Sequence, residues 1–380
     1  MNAARSKPQV FGWCPGALRP MESGDGLVVR VRTPLGRLSA AQSRGIAALS
    51  EQYGSGIIDL SARANLQLRG VSEATHAPLI EGLRDLGLID RNIATETRRN
   101  VIVQPFWTEG DDTHHIAHTL TEALAREDAP DLPGKFGFAV DCGPAPLLTH
   151  TSCDIRIERA DAGLILRADG AMTGLIVTRD TAAEAALMLA RWFLGTGGVR
   201  DGRGRMKAHI ARIGAPDSAE IPPLPTAPRP TPGQTATGAL VALEFGQMRA
   251  ETLAELATVG AIRLTPWRAL LIEGADRLPT LPYLITDPGD PRLNISTCTG
   301  APGCHQALSA TRHIARTLAP NTTRPLHISG CAKGCAHPAP CAITLTATSE
   351  GRFDLIRDGR ASDSPEIRDL SLTELLTKDL

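Results

Sequence analysis

IIDLSARANLQLRG (residues 57–70) and AIRLTPWRALLIEG (residues 261–274) align without a gap, and their likeness decides the architecture of this chain. Leu60 falls on Leu264, Ser61 on Thr265, Arg63 on Trp267 and Gly70 on Gly274. Each stretch reads as strand, Ser/Thr-containing turn and strand, with alternating apolar positions after the turn. Upstream lies a second matching pair, GLVVRVRTPLGRLSAAQ (26–42) and GALVALEFGQMRAETLA (238–254), each a strand, a turn and a helix start. A β-α-β-β unit present twice predicts an α+β protein. Its two ferredoxin-like half-domains would pair in one central sheet about a pseudo-twofold axis.

Outward from these units the chain divides further. Residues 214–237 (GAPDSAEIPPLPTAPRPTPGQTAT) are Pro-rich and lack periodicity, so they read as an extended connector. The expected plan is half-domain 1 over 1–74, an α/β lobe over 75–213, half-domain 2 over 238–290 and a second α/β lobe over 291–380. Helices are expected at 75–88, 113–127, 181–194 and 304–318. Strands are expected at 101–106, 326–329 and 342–348, with a hairpin over 162–179.

The chain has 380 residues, 42% of them hydrophobic and 21% charged, with a net charge of −1. That balance gives no bulk electrostatic reason to bind nucleic acid or a membrane. The start, MNAARSKPQV, has no apolar signal core, and the most apolar helical stretch carries Glu184 and Arg191. A cytoplasmic protein is therefore expected. Of the basic residues, 35 are arginine and five are lysine. A GC-rich genome explains most of that bias, but arginine forks also suit a site that grips many carboxylates.

Four of the eight cysteines fall into two glycine-flanked loops. Cys298 and Cys304 form a C-x5-C pair in TCTGAPGC, and Cys331 and Cys335 a C-x3-C pair in GCAKGC. This spacing suits a [4Fe–4S] cluster; a structural zinc site, which favours closer pairs, is the rival. The remaining cysteines, Cys14, Cys142, Cys153 and Cys341, have the buried, inert thiol as their default.

Together the cysteine pairs and the duplicated half-domain resemble the nitrite/sulfite reductase superfamily, from about residue 14 to about 348. The resemblance implies a cluster on the four cysteines, with Cys335 as the bridging ligand beside a tetrapyrrole. It also implies catalytic cations at Arg63 in LSARANLQLRG, Arg99 in TRRNVIV and Lys135 in LPGKFGF. Sulfite reductases carry a second lysine two residues on, where this chain has Gly137. The segment CPGALRPMESGDGLVVRVRTPLGRLS (14–39) is similar to an oxygen-using branch, the precorrin-3B synthases of aerobic cobalamin biosynthesis. That narrower resemblance implies hydroxylation of precorrin-3A at C20 with γ-lactone formation, using molecular oxygen and an external electron donor. It also implies a mononuclear non-haem iron beside the cluster.

A many-carboxylate macrocycle calls for several guanidinium donors, and Arg19, Arg30, Arg32 and Arg69 are the expected substrate grips, with Arg63 and Arg99 nearby in the motifs. Arg200, Arg203, Arg205 and Lys207 in GTGGVRDGRGRMKAHI (195–210) are either a second grip or a solvated loop. His114 and His118 fit a solvated helix face better than a metal site. His209, His305 and His337 leave the iron ligands unassigned. GSGIID (54–59) and GTGGVR (195–200) each lack the third glycine of a dinucleotide fingerprint, so electrons are expected from a separate reductase. The alternatives are a siroheme-dependent sulfite or nitrite reductase and a non-catalytic carrier.

Overall fold

The computed structural model describes residues 14–216, 220–378 and 380. The first repeat unit contains β1 (Met21–Ser23), β2 (Gly26–Val31), β3 (Arg37–Leu38), α1 (Ala40–Tyr53), β4 (Ile57–Leu60), β5 (Leu66–Val71) and α2 (Glu73–Asp85). The first lobe follows: α3 (Ile93–Arg98), β6 (Val101–Val103), α4 (Asp112–Ala125), β7 (Phe138–Asp141), β8 (Ile155–Ala160), β9 (Gly163–Ala168), β10 (Leu175–Val177), α5 (Ala182–Gly195) and α6 (Met206–Ile213). The second unit has β11 (Gly233–Gln234), β12 (Gly238–Leu243), β13 (Gln247–Arg249), α7 (Ala250–Leu256), β14 (Ile262–Leu264), β15 (Ala269–Glu273) and β16 (Leu284–Ile285). The second lobe has β17 (Ile295–Thr297), α8 (Thr311–Leu318), β18 (Leu326–Ser329), β19 (Cys341–Ser349), β20 (Arg352–Gly359), β21 (Ile367–Ser371) and α9 (Leu372–Leu376).

The two half-domains do not merge into one central sheet. One sheet runs β1-β2-β5-β4-β13 and the other β11-β12-β15-β14-β3, so each is completed by an edge strand from the opposite half. Met248 of β13 lies opposite Ile58, and Leu38 of β3 opposite Ile262. The cause is local. After β2, Leu35 and Gly36 take φ of 53° and 69°; after β12, Phe245 and Gly246 take 55° and 72°. Two successive left-handed residues throw the chain across to the other half before its helix begins. Exchange puts the apolar faces of both halves into one core, where Val29, Leu66 and Leu68 join Val241, Leu270 and Ile272.

The lobes repeat as well. β6, β7 and β8 are parallel and β9 and β10 antiparallel; β17, β18 and β19 are parallel and β20 and β21 antiparallel. Loops at the carboxyl ends of parallel strands are where such sheets place ligands. Here β17 and β18 end in Cys298 and in Gly330–Cys331, whereas their mates β6 and β7 end in Gln104 and Cys142.

Two expectations change in detail. The helix expected at 304–318 begins only at Thr311. Backbone groups before it bond elsewhere: the Leu308 amide donates to the Gly330 carbonyl and the Ala301 amide to that of Ser309, which ties the cysteine loops together. The connector is pinned to the first lobe, with Leu224 N–H on the Arg159 carbonyl and Ala227 N–H on that of Pro146. Among the described residues no helix is long and apolar enough to cross a membrane.

Candidate functional site

Cys298, Cys304, Cys331 and Cys335 all line one cavity of about 250 Å³ at the seam between the halves. Asp59, Ser61 and Ala62 reach it from the first unit and Phe245, Gly246 and Arg268 from the second. The loops are held to shape by their own backbone. Gly330 N–H donates to Cys298 Sγ at 3.3 Å, and the Ser329 hydroxyl donates to the Cys331 carbonyl at 2.7 Å. Gly300, at φ 71°, has room for no Cβ, which would lie 2.6 Å from Thr311 Oγ1. Burial pushes the Cys331 thiol up and that of Cys335 to about 11, against the pull of Lys333. Such thiols deprotonate when a metal supplies the opposing charge.

The first cysteine loop is clipped to the N-terminal segment by Arg69. Its Nε and Nη2 bind Asp25 at 2.7 and 2.6 Å, its Nη1 binds Asp59 at 3.3 Å, and Nη2 also reaches Ser23 Oγ and the Gly303 carbonyl. Ser23 Oγ donates to that same carbonyl at 2.6 Å. Asp59 in turn takes Arg312 of α8 at 2.9 Å. Arg69 was expected to grip substrate; its donors are spent on internal acids, and it fastens the cysteine loop instead.

On the other side of the Ser61–Asn65 turn lies a cluster of cations. Arg63 donates from Nη2 to the Lys135 carbonyl at 2.8 Å. Arg30, Arg63 and Lys135 all bear electrostatically on Cys14. Arg30 is 6% exposed, and its Nε and Nη1 have no hydrogen-bond partner among the described residues. Next to them a cavity of about 400 Å³ is lined by Cys14, Arg19, Arg32 and Arg203. The structure therefore brings Arg19, Arg30, Arg32, Arg63 and Lys135 together, one turn away from the cysteine cavity.

With this geometry in view, the comparisons with known proteins are decisive. A precorrin-3B synthase from Sinorhizobium sp is 30% identical over 93% of this chain and 84% of its own length. The chain belongs to the precorrin-3B synthase family. Residues 19–86 match the nitrite/sulfite reductase ferredoxin-like half domain. A ferredoxin–nitrite reductase from Synechococcus elongatus is 23% identical over 95% of the chain and 85% of its own length. The structure of the Mycobacterium tuberculosis NirA protein superposes with a TM-score of 0.66 at 19% identity, covering 92% of this chain and 79% of that one; at that identity it shows the shared fold.

In this precorrin-3B synthase family member, Arg99, expected as a catalytic cation, is engaged within the protein. Arg99 is locked by paired bonds to Asp90, both 2.8 Å, and donates to the Arg32 carbonyl. It positions the backbone of Arg32, just past the end of β2, and has little left for a ligand. Arg32 itself faces Glu96 at 3.4 Å and Asn100 at 3.2 Å, although its Nη1 makes no hydrogen bond. Gly137 has a steric basis: a Cβ there would lie 3.0 Å from the Asn100 carbonyl and 3.6 Å from Arg63 Nη1. In the 195–210 loop Arg205 is tied to Asp154 at 2.9 Å, a structural role.

Sequence reasoning missed Arg268, whose half-buried side chain lines the cysteine cavity. It aligns with Ala64 in the repeat, and both take left-handed φ, 59° and 53°. Reading the repeat one residue past Trp267 would have found it. The two cofactors implied by the resemblance fare differently. Four cysteines around one cavity, with loop amides turned to sulfur, fit a polynuclear cluster. A lone tetrahedral zinc would need sulfurs about 3.8 Å apart. Yet among the described residues no three His, Cys, Asp or Glu side chains converge on a single ion, so the mononuclear iron finds no ligand set there.

Proposed function

We propose that this protein is a tetrapyrrole-binding oxidoreductase of cobalamin biosynthesis, and that it converts precorrin-3A to precorrin-3B. The reaction is the oxygen-dependent hydroxylation of the macrocycle at C20 with γ-lactone closure. One observation carries the reading. A cysteine cavity and a carboxylate-seeking cation cluster share the Ser61–Asn65 turn, in a chain related over nearly its full length to a precorrin-3B synthase.

Cys298, Cys304, Cys331 and Cys335 would hold a [4Fe–4S] cluster, which when bound passes single electrons from an external donor. The chain's own residues do the rest. Arg19, Arg30 and Arg32 supply guanidinium donors for peripheral carboxylates of the substrate, and paired N–H forks fix a carboxylate in orientation as well as in place. Arg63 and Lys135 stand at the inner end and orient the macrocycle over the turn. Arg69 and Arg99 hold the scaffold. No step is assigned to a mononuclear iron.

The test is incubation of anaerobically purified protein with precorrin-3A, a reductant and oxygen, with mass detection of the product. The hydroxylated lactone is expected, and substrate recovered unchanged contradicts the reading. A visible spectrum showing tightly bound siroheme as purified would favour the sulfite or nitrite reductase alternative.

A further inference from the structure

Cys14 lies outside the cysteine cavity and has no part in the reaction proposed above. It lines the neighbouring cavity with Arg19, Arg32 and Arg203, and its side chain is only partly covered. Arg30 hydrogen-bonds its side chain, and the charges of Arg30, Arg63 and Lys135 all act on it. The unmade bonds of Arg30 are the second observation: its Nε and Nη1 are buried with no partner among the described residues, and a buried charged donor left unpaired is costly. Such a group is retained where an anion is to be held.

The electrostatics agree. Burial alone would raise the Cys14 thiol, but Arg30, Arg63 and Lys135 outweigh it and hold it below the ordinary cysteine value. Burial wins at Cys142, Cys153 and Cys341, the Cys153 thiol rising to about 12. Cys14 therefore gives up its proton more readily than those three thiols, and the thiolate is the nucleophile.

We propose that Cys14 is a redox modification site, at which a peroxide oxidises the sulfur to a sulfenic acid inside the Arg30–Arg63–Lys135 cage. The thiolate sulfur attacks the nearer peroxide oxygen, and the S–O bond forms as the O–O bond breaks. Sulfur gives up two electrons, the peroxide is reduced, and the far oxygen leaves as hydroxide, which solvent protonates to water. The unmade donors of Arg30 are preorganised for the charge that develops on oxygen. A neutral sulfenic acid leaves the cage one negative charge short; one low-molecular-weight thiol converts it to a mixed disulfide with loss of water, and a second releases the Cys14 thiol as the small disulfide departs.

The experiment treats the anaerobically purified protein with a small excess of hydrogen peroxide in the presence of dimedone, then maps labelled cysteines by peptide mass spectrometry. Cys14 is expected to label at least about ten times faster than Cys142, Cys153 or Cys341. Iodoacetamide, which needs no oxidant, should rank these thiols in the same order. Arg30→Gln should slow both reactions at Cys14 by about tenfold. Wild-type labelling of Cys14 no faster than that of Cys142 overturns the proposal, whatever the variant does. So does rapid alkylation without a dimedone adduct, or a folded Arg30→Gln protein that reacts like wild type.

Discussion

Arg63 and Arg69 share one hairpin and do different work. Arg69 is spent on Asp25 and Asp59, so Arg69→Ala strands Asp25 against the cysteine loop and leaves Asp59 with Arg312 alone as its cation. It should lower stability by about 3–5 kcal/mol in chemical denaturation; an unchanged midpoint would refute the clip. Arg63 keeps donors free for a ligand, and Arg63→Ala should weaken tetrapyrrole binding by about 1.5–3 kcal/mol with little change in stability. Unaltered affinity in a binding titration removes Arg63 from the pocket. If the four cysteines hold the proposed [4Fe–4S] cluster, Cys335→Ser should abolish its paramagnetic resonance signal, and an intact signal rules out that ligand. The motif that marks Arg63 is local and visible in sequence. The partners of Arg69 are not: Asp25 lies 44 residues away, and nothing in the spacing joins them.

At the scale of elements, β18 carries an unusual residue beneath the second cysteine loop. His327 is fully buried, neither ring nitrogen has a partner among the described residues, and burial, helped by His337 and Arg268, lowers its pKa to about 4. Above pH 6.5 both folded and unfolded chains keep this ring neutral. As pH falls from 6.5 towards 4 the unfolded chain takes a proton that the fold refuses, so stability declines by on the order of 2–3 kcal/mol. His327→Leu should flatten that slope in acid titrations of unfolding; an identical slope contradicts the assignment. The crossing turns give a paired test. At Gly36 a Cβ meets only the Leu264 carbonyl at 3.7 Å, whereas at Gly246 it meets Arg268 Cδ at 2.9 Å and the Leu60 carbonyl at 3.2 Å. Gly36→Ala should cost about 1–2 kcal/mol, the left-handed penalty alone, and Gly246→Ala more. Equal losses in thermal unfolding would deny the close approach. The strands themselves were readable from alternation. The exchange of β3 and β13 was not, because it depends on positive φ at Leu35 and Phe245, residues that advertise no such turn.

Across the whole molecule, duplication is the organising fact. Its sequence trace was confined to the half-domains, yet the lobes repeat too, through strand order alone. In one lobe the loops after the first two parallel strands carry the four cysteines of the cavity; in the other the loop after β6 carries Trp107, with Arg263 stacked over its ring at 4.0 Å, and β7 is followed by the single Cys142. A duplicated fold has thus kept one cysteine wall and set it against one cation cluster. Because each half closes the other's sheet, a chain cut once within residues 222–232 should elute as a single native-sized species. Separation of the halves without denaturant would contradict the exchanged strands. The central claim, that wall and cluster form one site acting on a tetrapyrrole, is tested most directly by turnover of precorrin-3A under ¹⁸O₂ with an external reductant, comparing wild type and Cys335→Ser. The account predicts a product carrying label from ¹⁸O₂ in the wild type, and none in the variant although it still binds substrate. Labelled product from both proteins, or from neither, would contradict it.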